Sequence, residues 1–286
     1  MFIFFFPCCL WPVACSLMCL LSVLYRIVPG YPVVLAANRD EFHDRQGEPP
    51  QLWSGMTAFL APKDPRAGGT WLGCNSYETI IGLTNRDASR PDKRRRSRGL
   101  LCTELLQAAF PSDAAKVLQN ELARRRYNGF NLFCAGPGQA FVVRYEGRPV
   151  FQDLSPGIHV LSNGDLNDES AWKVARTASL LENLDFRDVR SLITDLKIIC
   201  ADHAAPDPAD PLATAAARVG EARPYMLEPI CVHDAARGTL SSTIIALADD
   251  ASRSICLHAQ GRPCTTRYED YSRMLRAVLV RARWRE

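Results

Sequence analysis

Ala36-Ala37-Asn38-Arg39-Asp40-Glu41-Phe42 is the stretch from which the rest of this chain is read. The apolar run before it, Val33-Val34-Leu35-Ala36-Ala37, has the length and β-branched start of a buried strand. An amide, a guanidinium and two carboxylates then arrive where that strand must end. Strand ends leading into loops are where a rigid scaffold presents chemistry to solvent. Four polar residues alone read first as an arginine–carboxylate pair closing a turn. The surrounding sequence changes that reading.

Downstream, a Pro-containing loop leads to a short strand, Thr57-Ala58-Phe59-Leu60-Ala61. Gly68-Gly69-Thr70-Trp71-Leu72-Gly73 is a glycine turn feeding another strand, and without a following Gly-Lys-Ser/Thr it is no phosphate loop. Thr79-Ile80-Ile81-Gly82-Leu83-Thr84 ends in Asn85-Arg86-Asp87, an echo of Asn38-Arg39-Asp40. Residues 132–135 and Ala140-Phe141-Val142-Val143-Arg144-Tyr145 form a hairpin, and Ile158-His159-Val160-Leu161 ends in Ser162-Asn163-Gly164. Helical spacing covers 100–110, 113–126 with Ser112 as N-cap, 170–183 with Asp168 as N-cap, and 188–201. The Pro- and Ala-rich stretch 204–217 is a long loop. Strands return at Ile230-Cys231-Val232-His233, Thr243-Ile244-Ile245-Ala246-Leu247 and Ser254-Ile255-Cys256-Leu257, before a closing helix over 268–283. Hairpin-linked strands around a block of helices predict an α+β fold with mixed sheets covered by helices, not a doubly wound parallel sheet.

A chain of 286 residues can bury one sizeable core, and no composition break marks a second domain. The net charge of +3 is too small to argue for nucleic acid. The main basic run, Lys93-Arg94-Arg95-Arg96-Ser97-Arg98, has no interleaved aromatics for base stacking and reads as a solvated loop. Four of the 11 cysteines fall in the first nineteen residues, and the others show no C-x-x-C pair or Cys/His spacing suited to zinc. No metal is expected, and the pattern suits reduced, mostly buried thiols of a cytoplasmic protein. Residues 1–25 carry no charge. They are long enough for a membrane span, but Pro7 and Pro12 interrupt them and no basic segment precedes them. Three readings follow for 1–17: a signal, an anchor giving membrane association through 1–25, or a mis-assigned start upstream of Met18. The last is preferred, with a single domain over 18–286.

Three apolar strands end in asparagine, at Asn38, Asn85 and Asn163, and an uncharged amide can donate to a developing oxyanion without titrating. The five histidines sit in no triad setting, and no G-x-S-x-G elbow is present. Cys19, directly after Met18, is the candidate nucleophile. Freed at the N-terminus, its α-amine, of ordinary pKa about 7.7–8.0, can act as base towards its own thiol. Asp40 is placed to hold that amine.

Together these motifs, with Ser97-Arg98-Gly99 and Tyr127-Asn128-Gly129-Phe130-Asn131-Leu132, resemble the NRDE family typified by transport and Golgi organisation protein 2 homologues. The resemblance runs in order from Met18 to about Asp249. It implies a four-layered αββα sandwich of the N-terminal-nucleophile hydrolase type, with mostly antiparallel sheets. It further implies hydrolysis of a small-molecule C–N amide bond, with Cys19 as nucleophile and base, Asp40 as orienter, Asn85 and Asn163 as oxyanion donors, and Asn38 and Arg39 as supporting groups. The same resemblance implies a rival of a different class: a non-catalytic carrier in Golgi organisation, secretion or haem mobilisation, with haem as transported ligand rather than cofactor. One departure stands out. Family members carry Arg where this chain has Leu240 in Gly238-Thr239-Leu240-Ser241-Ser242-Thr243.

Overall fold

Strands β1 (Leu20–Val28) and β2 (Tyr31–Phe42) are apolar on both faces, as strands covered on both sides must be. Leu21, Val23 and Tyr25 of β1 point one way into a core shared with a second sheet. Leu20 and Leu24 point the other way, towards helices. The period of two therefore divides one strand between two cores.

The computed structural model describes residues 19–86, 91–207, 209, 210 and 227–283. Residues 1–17, Met18, Asp87 and much of the 204–217 loop lie outside them.

The first sheet has six strands in the order β10-β1-β2-β11-β12-β13, completed by β10 (Gly157–Leu161), β11 (Arg237–Leu247), β12 (Ile255–Ala259) and β13 (Glu269–Asp270). The second is a seven-stranded meander in chain order. It comprises β3 (Glu48–Trp53), β4 (Phe59–Lys63), β5 (Leu72–Asn75), β6 (Ile80–Asn85), β7 (Phe130–Ala135), β8 (Ala140–Tyr145) and β9 (Pro149–Asp153). Every pairing in both sheets is antiparallel.

Helices α1 (Arg98–Leu105) and α2 (Pro111–Arg124) cover the outer face of the second sheet through Leu101, Leu105 and Leu118. Helices α3 (Trp172–Glu182) and α4 (Val189–Cys200) cover the outer face of the first through Val174, Leu181, Leu192 and Leu196. The layers are α, β, β, α, as the sequence motifs implied. A fifth helix, α5 (Ser272–Arg283), departs from that scheme: Leu275, Val278 and Leu279 enter the core between the sheets.

Several local expectations are corrected. Strand β3 falls where a Pro-containing loop was read, and β9 falls in a stretch to which no element was assigned. Both are edge strands, and Pro49, Pro50 and Pro149 survive there because an edge need not donate every N–H. Ile230-Cys231-Val232-His233 is not a strand and contributes only the bridge between His233 and Gly238. Helix α2 is capped at Phe110 with Pro111 at its first position, not at Ser112. Helix α3 starts after Ala171, and Asp168 instead accepts from Ser170 in the preceding turn. Asp188 does cap α4, accepting from the N–H groups of Arg190 and Ser191. All eight cysteines among the described residues are unbridged, and six are buried. Among the described residues, no helix is long and apolar enough to cross a membrane.

Candidate active site

Cys19 immediately precedes β1, one residue beyond the Leu20–Asn38 pair with β2. Its Sγ lies 3.8 Å from the carbonyl oxygen of Asp40, and its own carbonyl accepts from Ser162 Oγ at 2.8 Å. The thiol opens on a cleft of about 690 Å³ that it shares with Arg39, Trp71, Asn85 and Arg98. Burial, reinforced by the negative charge of Asp40, pushes the thiol pKa up to about 11, with the Arg39 guanidinium opposing. At that value only about one thiol in ten thousand is ionised at pH 7, so attack by sulfur needs a base.

Alternation along β2 splits the Asn38-Arg39-Asp40 motif between two faces. Arg39 faces the cleft, its guanidinium 4.4 Å from the Trp71 ring centroid, donating to the Arg45 carbonyl at 3.1 Å and lying 3.6 Å from Glu41. Burial lowers its pKa and Glu41 offsets part of that. Asn38 turns to the helix layer, where Nδ2 donates to the carbonyls of Cys200 at 2.9 Å and Ile230 at 3.1 Å. The Asp40 carboxylate turns the same way. Oδ2 meets Lys173 Nζ at 2.5 Å, and Oδ1 accepts from Thr239 Oγ1 at 2.6 Å. Lys173 is 133 residues away in the chain, and nothing in the sequence singled it out.

The facing wall comes from the second sheet. Thr84 Oγ1 donates to the Ser162 carbonyl at 2.5 Å, and Asn131 Nδ2 donates to Ser162 at 3.0 Å and Gly164 at 2.8 Å. These bonds tie the end of β10 to the ends of β6 and β7, and Ser162 passes the tie on to Cys19. Asn85, half-buried, ends β6 and lines the cleft. Asn163 is 3% exposed, lies within the tied loop, and is not among the residues that line the cleft. Ser162, Thr84 and Asn131 were not proposed as site residues, because a hydroxyl or amide bonding a carbonyl across two sheets leaves no spacing signal.

Leu240 occupies an irregularity in the β2–β11 pairing between Thr239 and Ser241 and is buried. The nearby Arg237 is tied to Glu228. Arg98 also enters the cleft, beside Arg39, and its Nη1 donates to the Gly129 carbonyl at 2.8 Å. Burial pulls its pKa down to about 10, repulsion from Arg45 adds to the fall, and Cys19 and Glu41 oppose it.

The run containing Arg98 is only in part the solvated loop expected of it: Lys93, Arg94 and Arg95 are exposed, whereas Arg96 and Arg98 are half-buried. Arg96 Nη1 binds Glu104 and Glu121 at 2.6 Å each, and Arg95 donates to the Tyr127 carbonyl at 2.7 Å. The run forms the cleft rim. Glycines seat it: a Cβ on Gly69 would collide with the carbonyl of Gly99, and Thr70 N–H donates to that carbonyl at 3.2 Å. Outside the cleft, the fold gathers His203, Cys231, His233 and Cys264 into one cluster, for which the sequence spacing gave no signal.

The family model for Transport and Golgi organisation 2 matches residues 18–256. The chain is 35% identical over 153 residues to the Transport and Golgi organization 2 homolog of Mus musculus, covering 50% of this chain and 54% of that protein. The Homo sapiens homolog is 33% identical over 152 residues, with the same two coverages. The chain thus spans about half the length of the curated relatives it matches. Among solved structures, the Caenorhabditis elegans N-acylethanolamine-hydrolyzing acid amidase ortholog superposes with a TM-score of 0.51 at 12% identity, covering 79% of this chain and 92% of that chain. Penicillin V acylase from Agrobacterium tumefaciens gives a TM-score of 0.47 at 14% identity over 88% and 86% of the two chains. The sandwich is of the N-terminal-nucleophile hydrolase type.

Proposed function

The chain belongs to the Transport and Golgi organisation 2 family, and on that premise we propose that it is a cysteine amidohydrolase acting on small-molecule amides through Cys19. The observation that carries this reading is the Cys19 thiol, set at the mouth of the first strand and opening into a cleft lined by arginines. Its high pKa calls for a base. The α-amine of Cys19, freed when the chain starts at that residue, supplies one without a histidine. The start of the family match at residue 18 supports that arrangement.

In the proposed reaction the amine takes the thiol proton and the thiolate attacks the amide carbon. The oxyanion collects a hydrogen bond from Asn85, which lines the cleft beside Cys19. The C–N bond breaks, and the leaving nitrogen takes the proton back from the amine. Water, deprotonated by the same amine, then hydrolyses the thioester and releases the acid. Asp40 acts as a positioning residue: its carbonyl receives the thiol, while its carboxylate anchors the strand end through Lys173 and Thr239. Arg39 and Arg98 place positive charge beside the nucleophile, which favours amides bearing a carboxylate or phosphate group.

The test combines the intact mass of the mature protein with turnover of N-acyl amino acids and neutral N-acyl amides. Protein beginning at Cys19 should hydrolyse the anionic series, and Cys19→Ala should lower the rate by at least about a thousandfold with an unchanged melting temperature. A Cys19→Ala variant that retains its activity would sink the mechanism. Absence of any hydrolysis, with haem binding indifferent to Cys19→Ala, would instead favour the carrier reading.

A further inference from the structure

We propose that His203, Cys231, His233 and Cys264 form a structural zinc site behind the Asn38-Arg39-Asp40 strand end. One ligand atom from each of the four residues lies within 4.8 Å of all the others. Three of the distances within the set, those among Cys231, His233 and Cys264, match a tetrahedral zinc centre. Two sulfurs each about 2.3 Å from such an ion stand about 3.8 Å apart, and a sulfur and an imidazole nitrogen about 3.6 Å apart. Here Cys231 Sγ and Cys264 Sγ are separated by 3.8 Å. His233 Nε2 lies 3.2 Å from Cys264 Sγ and 3.8 Å from Cys231 Sγ, bracketing the mixed distance.

The imidazole of His203 completes the set, its ring centroid 4.7 Å from that of His233 with the planes at 87°. His203 Nδ1 lies 3.4 Å from the Cys231 carbonyl, a backbone contact of the kind that orients a ligating imidazole. Two thiolates and two neutral imidazoles select a borderline-soft divalent ion, and they neutralise zinc fully. Four protein ligands leave no open position, which makes the centre structural rather than catalytic. Binding releases one proton from each thiol.

The ligands come from three separate segments: the exit of α4, the approach to β11, and the β12–β13 connection. None of these segments is regular structure, and the ion would join all three. The Cys231 segment is also bonded to the motif strand. Asn38 Nδ2 donates to the neighbouring Ile230 carbonyl. Val232 N–H donates to Thr239 Oγ1 at 2.9 Å, and Thr239 in turn donates to Asp40. A zinc ion here would brace Asn38 and Asp40 from the face opposite the cleft.

The full chain, purified under reducing conditions without chelator, should contain about one zinc per molecule by elemental mass spectrometry. Replacing zinc with Co²⁺ should give visible d–d bands of tetrahedral strength and a near-ultraviolet thiolate charge-transfer shoulder, both abolished when zinc is added back. Cys264→Ser, in the half-buried loop, should lose the shoulder's intensity by about half, in proportion to the sulfurs remaining. Two results would overturn the site. One is wild-type protein that holds no zinc and takes up Co²⁺ without thiolate bands; the other is a Cys231–Cys264 disulfide, seen as a 2 Da mass deficit in about all of the reduced preparation. Because the decisive readings use the wild-type chain, misfolding of the variant would not rescue the proposal.

Discussion

Lys173 and Asp40 put the energetics of the motif in one contact. Their side chains are 0% and 1% exposed, and Nζ meets Oδ2 at 2.5 Å. Two buried charges are tolerable only as a pair, since each alone carries an uncompensated desolvation cost. Lys173→Met should therefore destabilise the protein by about 3–5 kcal/mol. Adding Asp40→Asn, which keeps an acceptor for Thr239, should recover much of that loss. Urea unfolding of the single and double variants would check it; a Lys173→Met variant as stable as wild type would mean that the pair contributes little. In the sequence, Asp40 is marked by its place at a strand end, and it does lie beside Cys19. The direction of its carboxylate was not legible, because it depends on a lysine brought in by α3.

At the scale of elements, strands with a strong period were readable and edge strands were not. β6, β7 and β8 are central, carry unbroken apolar runs and appear where the sequence placed them. β9 is exposed along its whole length, so it has no buried face from which a pattern could arise. The closing helix was legible as a helix, yet its destination was not. α5 sends Leu275, Val278 and Leu279 between the two sheets, each at most 1% exposed. A helix caps one sheet in the simple layered scheme, whereas α5 packs between the sheets, against β12 of the first and β3, β4 and β5 of the second. Leu275→Ala should cost about 2–5 kcal/mol, measured by chemical denaturation, as expected for a full core truncation. A loss below about 1 kcal/mol would place α5 outside the cooperative core.

For the whole molecule, the spacing of the two sheets sets the cleft. Gly82 on β6 faces Leu21 on β1, and a Cβ at Gly82 would come 2.5 Å from Leu21 Cδ1. Thr84, two residues on, makes the hydrogen bond to Ser162 that closes the same seam. Gly82→Val should force the sheets apart and destabilise the fold by about 1–3 kcal/mol or more, with Cys19 labelled faster by a thiol reagent. Unchanged stability would show that the seam can relax.

The sequence by itself determined the layered α+β class, the central strands and the cleft residues Cys19, Arg39 and Asn85. The α+β class and the central strands follow from local period, and the four-layered arrangement follows from the family resemblance that the spaced motifs carry. Only the tertiary structure decided that Arg98 joins Arg39 in the cleft, that Lys173 holds Asp40, and that two histidines and two cysteines converge behind it. The reason is distance along the chain. Contacts across tens to hundreds of residues leave no mark in spacing, and they exist only once the sheets are stacked and the helices docked.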